Sequence, residues 1–171
     1  MKGNICEKRR VAYVGLPRTA SRYIWSILKR CGFVTDRADQ VHTHSIPEYT
    51  DGWTYMVSCR NPYQRAVSMY MISKNVWKKD WKDFEDFIKN YNFPGIYDST
   101  KHLQNIKWIH FDTIHKDLAD LCIMEPEPFI ESEMSKNWKQ YYTPELEQIV
   151  YERYEEDFIQ CGYKREKIIF N

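Results

Sequence analysis

Arg18, Thr19, Ser21 and Arg22 crowd into five residues directly after an apolar run, and Arg60 and Ser68 stand eight residues apart after a second one. Guanidinium forks and small hydroxyls at such places are the donor types that hold a phosphate or sulfate: the fork donates two parallel charge-assisted hydrogen bonds, and the hydroxyls add short single ones. A strand that delivers a turn to the start of a helix adds unpaired backbone N–H groups and the positive end of the helix dipole. Two such places in one chain would suit a ligand with phosphate groups at two separated points.

The elements that must position these residues can be read from the flanking pattern. Residues 11–25, VAYVGLPRTASRYIW, run from an apolar strand, broken by Gly15 and Pro17, into a helix that places Ile24, Ile27, Leu28 and Cys31 on one face and stops at Gly32. Residues 55–70, YMVSCRNPYQRAVSMY, repeat the plan. The strand covers 54–59, Asn61 is the N-cap, Pro62 takes the first helical position, and Tyr63, Ala66, Val67 and Tyr70 form the apolar stripe. Arg60 then falls at the carboxyl end of a strand, the edge where open α/β sheets bind ligands. Ser68 lies about two helical turns on, beside Gln64 and Arg65.

The remaining chain keeps the alternation of strands and helices that marks an α/β domain with a mainly parallel sheet. Trp77, Trp81, Phe84, Ile88 and Tyr91 have helical spacing, residues 92–95 (NFPG) read as a turn, 106–111 as a short strand and 114–122 as a helix. A final helix starts at Thr143-Pro144, presents Leu146, Ile149, Val150, Tyr154 and Phe158, and ends before Gly162. Neither repeat nor long linker divides the 171 residues, so a single domain over 1–171 is expected.

Composition narrows the partners. The chain is 43% apolar, 16% aromatic and 29% charged, which excludes a disordered polymer. Its formal net charge of +1 gives no bulk attraction for nucleic acid. Positive charge is nonetheless gathered locally, with nine Lys or Arg against two acidic residues in 1–37. The charged N-terminus and the lack of any stretch of about 18 apolar residues lead to the expectation of a cytoplasmic chain without a membrane span. Five cysteines without CxxC or Cys/His spacing are expected to be reduced thiols, with no metal site.

The first loop lacks the Walker pattern, because no Lys is followed by Ser or Thr. LPRTASRYIW instead resembles the 5′-phosphosulfate loop of the sulfotransferases that use 3′-phosphoadenosine 5′-phosphosulfate (PAPS), commonly Pro-Lys/Arg-Ser/Thr-Gly/Ala-Ser/Thr-Thr/Arg. CRNPYQRAVSMY is similar to that family's 3′-phosphate element, in which an Arg and a Ser eight residues later bind the 3′-phosphate. The tail, NWKQYYTPELEQIVYERYEEDFIQCGY, resembles the end of the carbohydrate-type branch, and HLQNIKWIHFDTIHKDL is similar to its Gln, short strand and acidic residue before a helix.

The resemblance implies a three-layer, P-loop NTPase-like sulfotransferase fold, with PAPS as donor, 3′-phosphoadenosine 5′-phosphate (PAP) as product, and no metal. Arg18 would contact the 5′-phosphosulfate, with Thr19, Ala20, Ser21, Arg22 and Tyr23 adding backbone or hydroxyl contacts, while Arg60 and Ser68 would hold the 3′-phosphate. The family more often has Lys where this chain has Arg18; arginine can stabilise the bridging oxygen but does not readily donate its proton. Lys136 would join the cofactor contacts from the loop before the last helix. The acceptor's proton would go to a base between the two elements, where the family places His or Glu: His44, with His42 assisting, or Glu48. The acceptor would be a small molecule or, favoured by the tail, a carbohydrate hydroxyl. Two other readings stay open: a P-loop-like small-molecule kinase, and a nucleotide-binding module without turnover.

Overall fold

A computed structural model describes residues 4–34, 50, 52–120, 136–166 and 168. The chain separates into two compact units, one built from Met1–Arg60 and Ser99–Phe129, the other from Asn61–Asp98 and Ile130–Asn171.

The first unit is organised by a four-stranded sheet of order β1-β2-β3-β4, formed by β1 (Asn4–Cys6), β2 (Val11–Val14), β3 (Thr54–Cys59) and β4 (Ile106–His110). β2, β3 and β4 are parallel, with Val14 opposite Val57 and Cys59 opposite His110. β1 pairs antiparallel with β2 at the edge. Both faces of the central strands are buried: Tyr13, Met56 and Ile109 share one core with Ile24, Trp25 and Leu28, while Ala12, Val14, Val57 and Cys59 alternate with them and are buried too. The α/β class and the mainly parallel sheet match the sequence reading. Strand β3 spans the expected residues. β1 was not anticipated, since three residues in a polar terminus carry no period-2 signal.

Two helices of this unit follow strands, α1 (Ser21–Arg30) after β2 and α5 (Ile114–Ala119) after β4. Ile24, Ile27 and Leu28 of α1 are buried as their spacing requires, and Gly32 at φ 84° ends the helix. Cys31 is disulfide-bonded, against the expectation of reduced thiols, whereas Cys6, Cys59 and Cys161 are free. Rules built on CxxC or Cys/His spacing do not detect a bridge whose pairing is set by the fold.

The second unit is helical, with α2 (Pro62–Asn75), α3 (Phe84–Asn90), α6 (Pro144–Arg153) and α7 (Glu155–Gln160); α4 (Ile96–Thr100) lies between α3 and β4 in the chain. Asn61 caps α2 by accepting from the Tyr63 N–H, and Thr143 caps α6 by accepting from the Leu146 N–H. The expected last helix is broken at Tyr154 into α6 and α7, yet Leu146, Val150, Tyr154 and Phe158 still enter one core with Tyr63, Tyr70 and Phe87. Trp77 departs from the expected stripe. It is 46% exposed, Lys78 has φ 55°, and the helix starts only at Phe84 behind the Asp83 cap. Arg165 closes a two-pronged hydrogen bond on Glu147 at 3.0 and 2.7 Å. Among the described residues no helix is long and apolar enough to cross a membrane.

Candidate functional site

The loop from Pro17 to Ala20 leaves the carboxyl end of β2, and Arg60 follows the carboxyl end of its parallel neighbour β3. Both candidate phosphate elements therefore emerge from one edge of one sheet. That is the edge where the dipoles and loop N–H groups of an α/β sheet meet ligands.

Within the loop, Arg18 has φ 67° and Ala20 φ 60°, both left-handed without being glycine. Each such residue costs on the order of 1–3 kcal/mol, a strain that occurs most often at ligand clamps. Ala20 is also the residue at the N-cap of α1, and its methyl offers no capping hydrogen bond to the helix N–H groups. Gly15 lets the start of α1 close onto β2, because an added Cβ would lie 3.1 Å from both the Ser21 Cβ and Tyr13 Cε1. The result is a tight turn over the strand end with the helix N-terminus directly behind it.

The charges in the loop favour an anion. Burial, reinforced by repulsion from Arg22, pulls the Arg18 guanidinium below the usual arginine range. A bound anion would relieve both effects at once. Arg22 is exposed, Tyr23 is half-buried with its hydroxyl 3.3 Å from His115 Nδ1, and Ser21 is buried.

Thr19 has a different role from the one its type suggested. It is fully buried, its hydroxyl lies 2.7 Å from the Leu16 carbonyl and 2.6 Å from Ser58 Oγ, and Ser58 Oγ in turn lies 3.2 Å from the Tyr13 hydroxyl. A carbonyl can only accept, so Thr19 donates to Leu16, Ser58 donates to Thr19, and Tyr13 donates to Ser58. The Thr19 hydroxyl is therefore committed inside the protein, and its contribution to a ligand is through the backbone. Sequence reasoning missed Ser58 and Tyr13. The available signal was a small hydroxyl in the buried half of a strand, two residues before Arg60.

Arg60 is 3% exposed and lies over the face of Phe111, with Cζ 3.8 Å from the ring centroid. The aromatic face positions the guanidinium through a cation–π contact. Nearby on β4, His110 faces Asp117 of α5, whose carboxylate accepts the His110 backbone N–H at 2.8 Å and the Thr113 hydroxyl at 3.0 Å and so closes the turn between strand and helix. In the second unit, Ser68 is a buried residue of α2 and Lys136 is exposed. Arg65, beside Ser68 in the sequence, is structural: it is buried, donates to the Pro94 carbonyl at 2.9 Å and pairs with Asp157 at 3.6 Å. His42, His44 and Glu48 lie outside the described residues.

No family model, curated protein or solved structure matches this chain.

Proposed function

We propose that the chain is a PAPS-dependent sulfotransferase that moves a sulfuryl group to an acceptor hydroxyl, in the carbohydrate-type manner that its tail resembles. The observation that carries the reading is the pairing at one sheet edge of the strained Arg18 loop with the Phe111-backed Arg60. A nucleotide bearing a 3′-phosphate and a 5′-phosphosulfate presents two anionic groups to such an edge. The residues fit it chemically: Arg18 and Arg22 bring two positive charges to the loop, and the N-terminus of α1 has no side-chain cap at Ala20.

In this reading Arg18 and the N–H groups of 19–22 take the 5′ end and stabilise the charge that develops on the leaving phosphate. Arg60 takes the 3′-phosphate, which fixes the nucleotide's register; Ser68 is assigned to the same phosphate by the sequence resemblance. Ser21 and Tyr23 border the 5′ group, Arg22 supplies long-range attraction, and Lys136 contributes from the loop before α6. His44, assisted by His42 or replaced by Glu48, receives the acceptor's proton, an assignment that rests on the sequence. The sheet and these helices form the P-loop NTPase-like sulfotransferase fold in this proposal.

Calorimetric titration with PAP tests the reading. The full chain is expected to bind PAP at one site, with affinity falling steeply as salt rises, because charge-assisted contacts dominate. A flat titration would remove the proposal.

A further inference from the structure

The hydrogen-bond chain beneath the loop has a function that its burial alone does not explain. Tyr13, Ser58 and Thr19 come from β2, β3 and the loop, and all are at most 2% exposed. Their hydrogen bonds run in one direction and end on the Leu16 carbonyl, at the entrance of the loop. Burial pushes the Tyr13 hydroxyl well above its ordinary range, which keeps it protonated as the head donor. Thr19 is flanked by the two left-handed residues, Arg18 and Ala20, so its side chain is the point at which the strained turn is fastened to the sheet. Ser58 is two residues before Arg60 on β3. One short strand segment thus carries both the anchor of the first anion element and the arginine of the second.

We propose that Ser58 and Tyr13 are positioning residues: acting through Thr19, they hold the loop of residues 17–20 in its anion-receiving shape before the ligand arrives, and fix its distance from Arg60. The inference rests on the reading of that loop as the donor's 5′-phosphate site. Without the anchor, the ligand's binding energy would have to impose the two left-handed conformations, so affinity would fall although no ligand contact had been removed.

The test compares Thr19→Val, Ser58→Ala and the milder Tyr13→Phe with Thr19→Ser, which keeps the hydroxyl. Hydrogen exchange of the amides of residues 18–22 is read in nucleotide-free protein, and PAP affinity is read by calorimetry. Loss of a buried hydrogen bond corresponds to about a tenfold change, so Thr19→Val and Ser58→Ala are expected to speed loop exchange about tenfold and weaken PAP by a similar factor. Thr19→Ser should stay near wild type, and Tyr13→Phe should fall between. Unchanged loop exchange, or faster exchange with unchanged PAP affinity, would overturn the inference. If wild type does not bind PAP, the donor reading fails on its own. The anchor is then judged by loop exchange and by binding of inorganic pyrophosphate, whose affinity must fall in the same variants for the inference to stand.

Discussion

Arg65→Ala is expected to destabilise the second unit by about 3–5 kcal/mol, because it leaves a buried carboxylate without its counter-charge. Arg65 and Asp157 are 1% and 2% exposed. Burial lowers the Arg65 guanidinium and raises the Asp157 carboxyl relative to their ordinary values; the carboxylate is supported by backbone N–H groups and by Arg65, and the guanidinium by Asp157. Asp157 also accepts the backbone N–H groups of Ile96 and Tyr97 at 2.8 and 2.7 Å. It packs against Gly95, where an added Cβ would lie 3.1 Å from Oδ1. Replacing the whole pair by apolar residues should therefore fail to restore stability, since the two N–H groups would lose their acceptor. Urea unfolding of Arg65→Ala and of an Arg65→Met, Asp157→Leu double variant checks both statements. An Arg65→Ala protein as stable as wild type would contradict the structural role given to Arg65.

The second large effect is expected at Arg18, on chemistry and not on the fold. In Arg18→Ala, sulfuryl transfer should fall by about 10²–10³-fold, the size seen when a donor that stabilises developing charge is removed. Arg18→Lys should keep part of the rate, since an ammonium retains the positive charge but loses the fork. The assay uses labelled PAPS against glycans, lipids and tyrosine peptides, with wild type identifying the acceptor. Equal transfer by Arg18→Ala would exclude a role at the leaving group. PAP binding with no labelled product from wild type would indicate a nucleotide-binding module.

How much was legible beforehand follows from the range over which each signal acts. Strand β3, the Asn61 and Thr143 caps and the buried face of α1 are local patterns, and they appear where the spacing placed them. Long-range pairings were not legible. In the sequence Arg65 suits a salt bridge as well as a cofactor contact; its partner Asp157, ninety-two residues later, emerges only from the fold. Arg165 is explained by the α6 residues it meets, Glu147, Gln148 and Tyr151, and the shared role of Tyr13, Ser58 and Thr19 by the β2–β3 register. The candidate site divides in the same way. Residue types and spacing identified the Arg18 loop and Arg60, whereas the left-handed backbone, the Phe111 platform and the inward Thr19 hydroxyl emerge from the fold.

The central claim is that Arg60 reads the 3′-phosphate of a nucleotide whose 5′ end lies in the Arg18 loop. Titrating wild type and Arg60→Ala with PAP and with adenosine 5′-phosphate, which lacks the 3′-phosphate, tests it most directly. Wild type should prefer PAP by about tenfold or more, the scale of a charge-assisted contact, and Arg60→Ala should bind both nucleotides alike. Equal affinity of wild type for the two nucleotides, or an undiminished preference for PAP in Arg60→Ala, would contradict it.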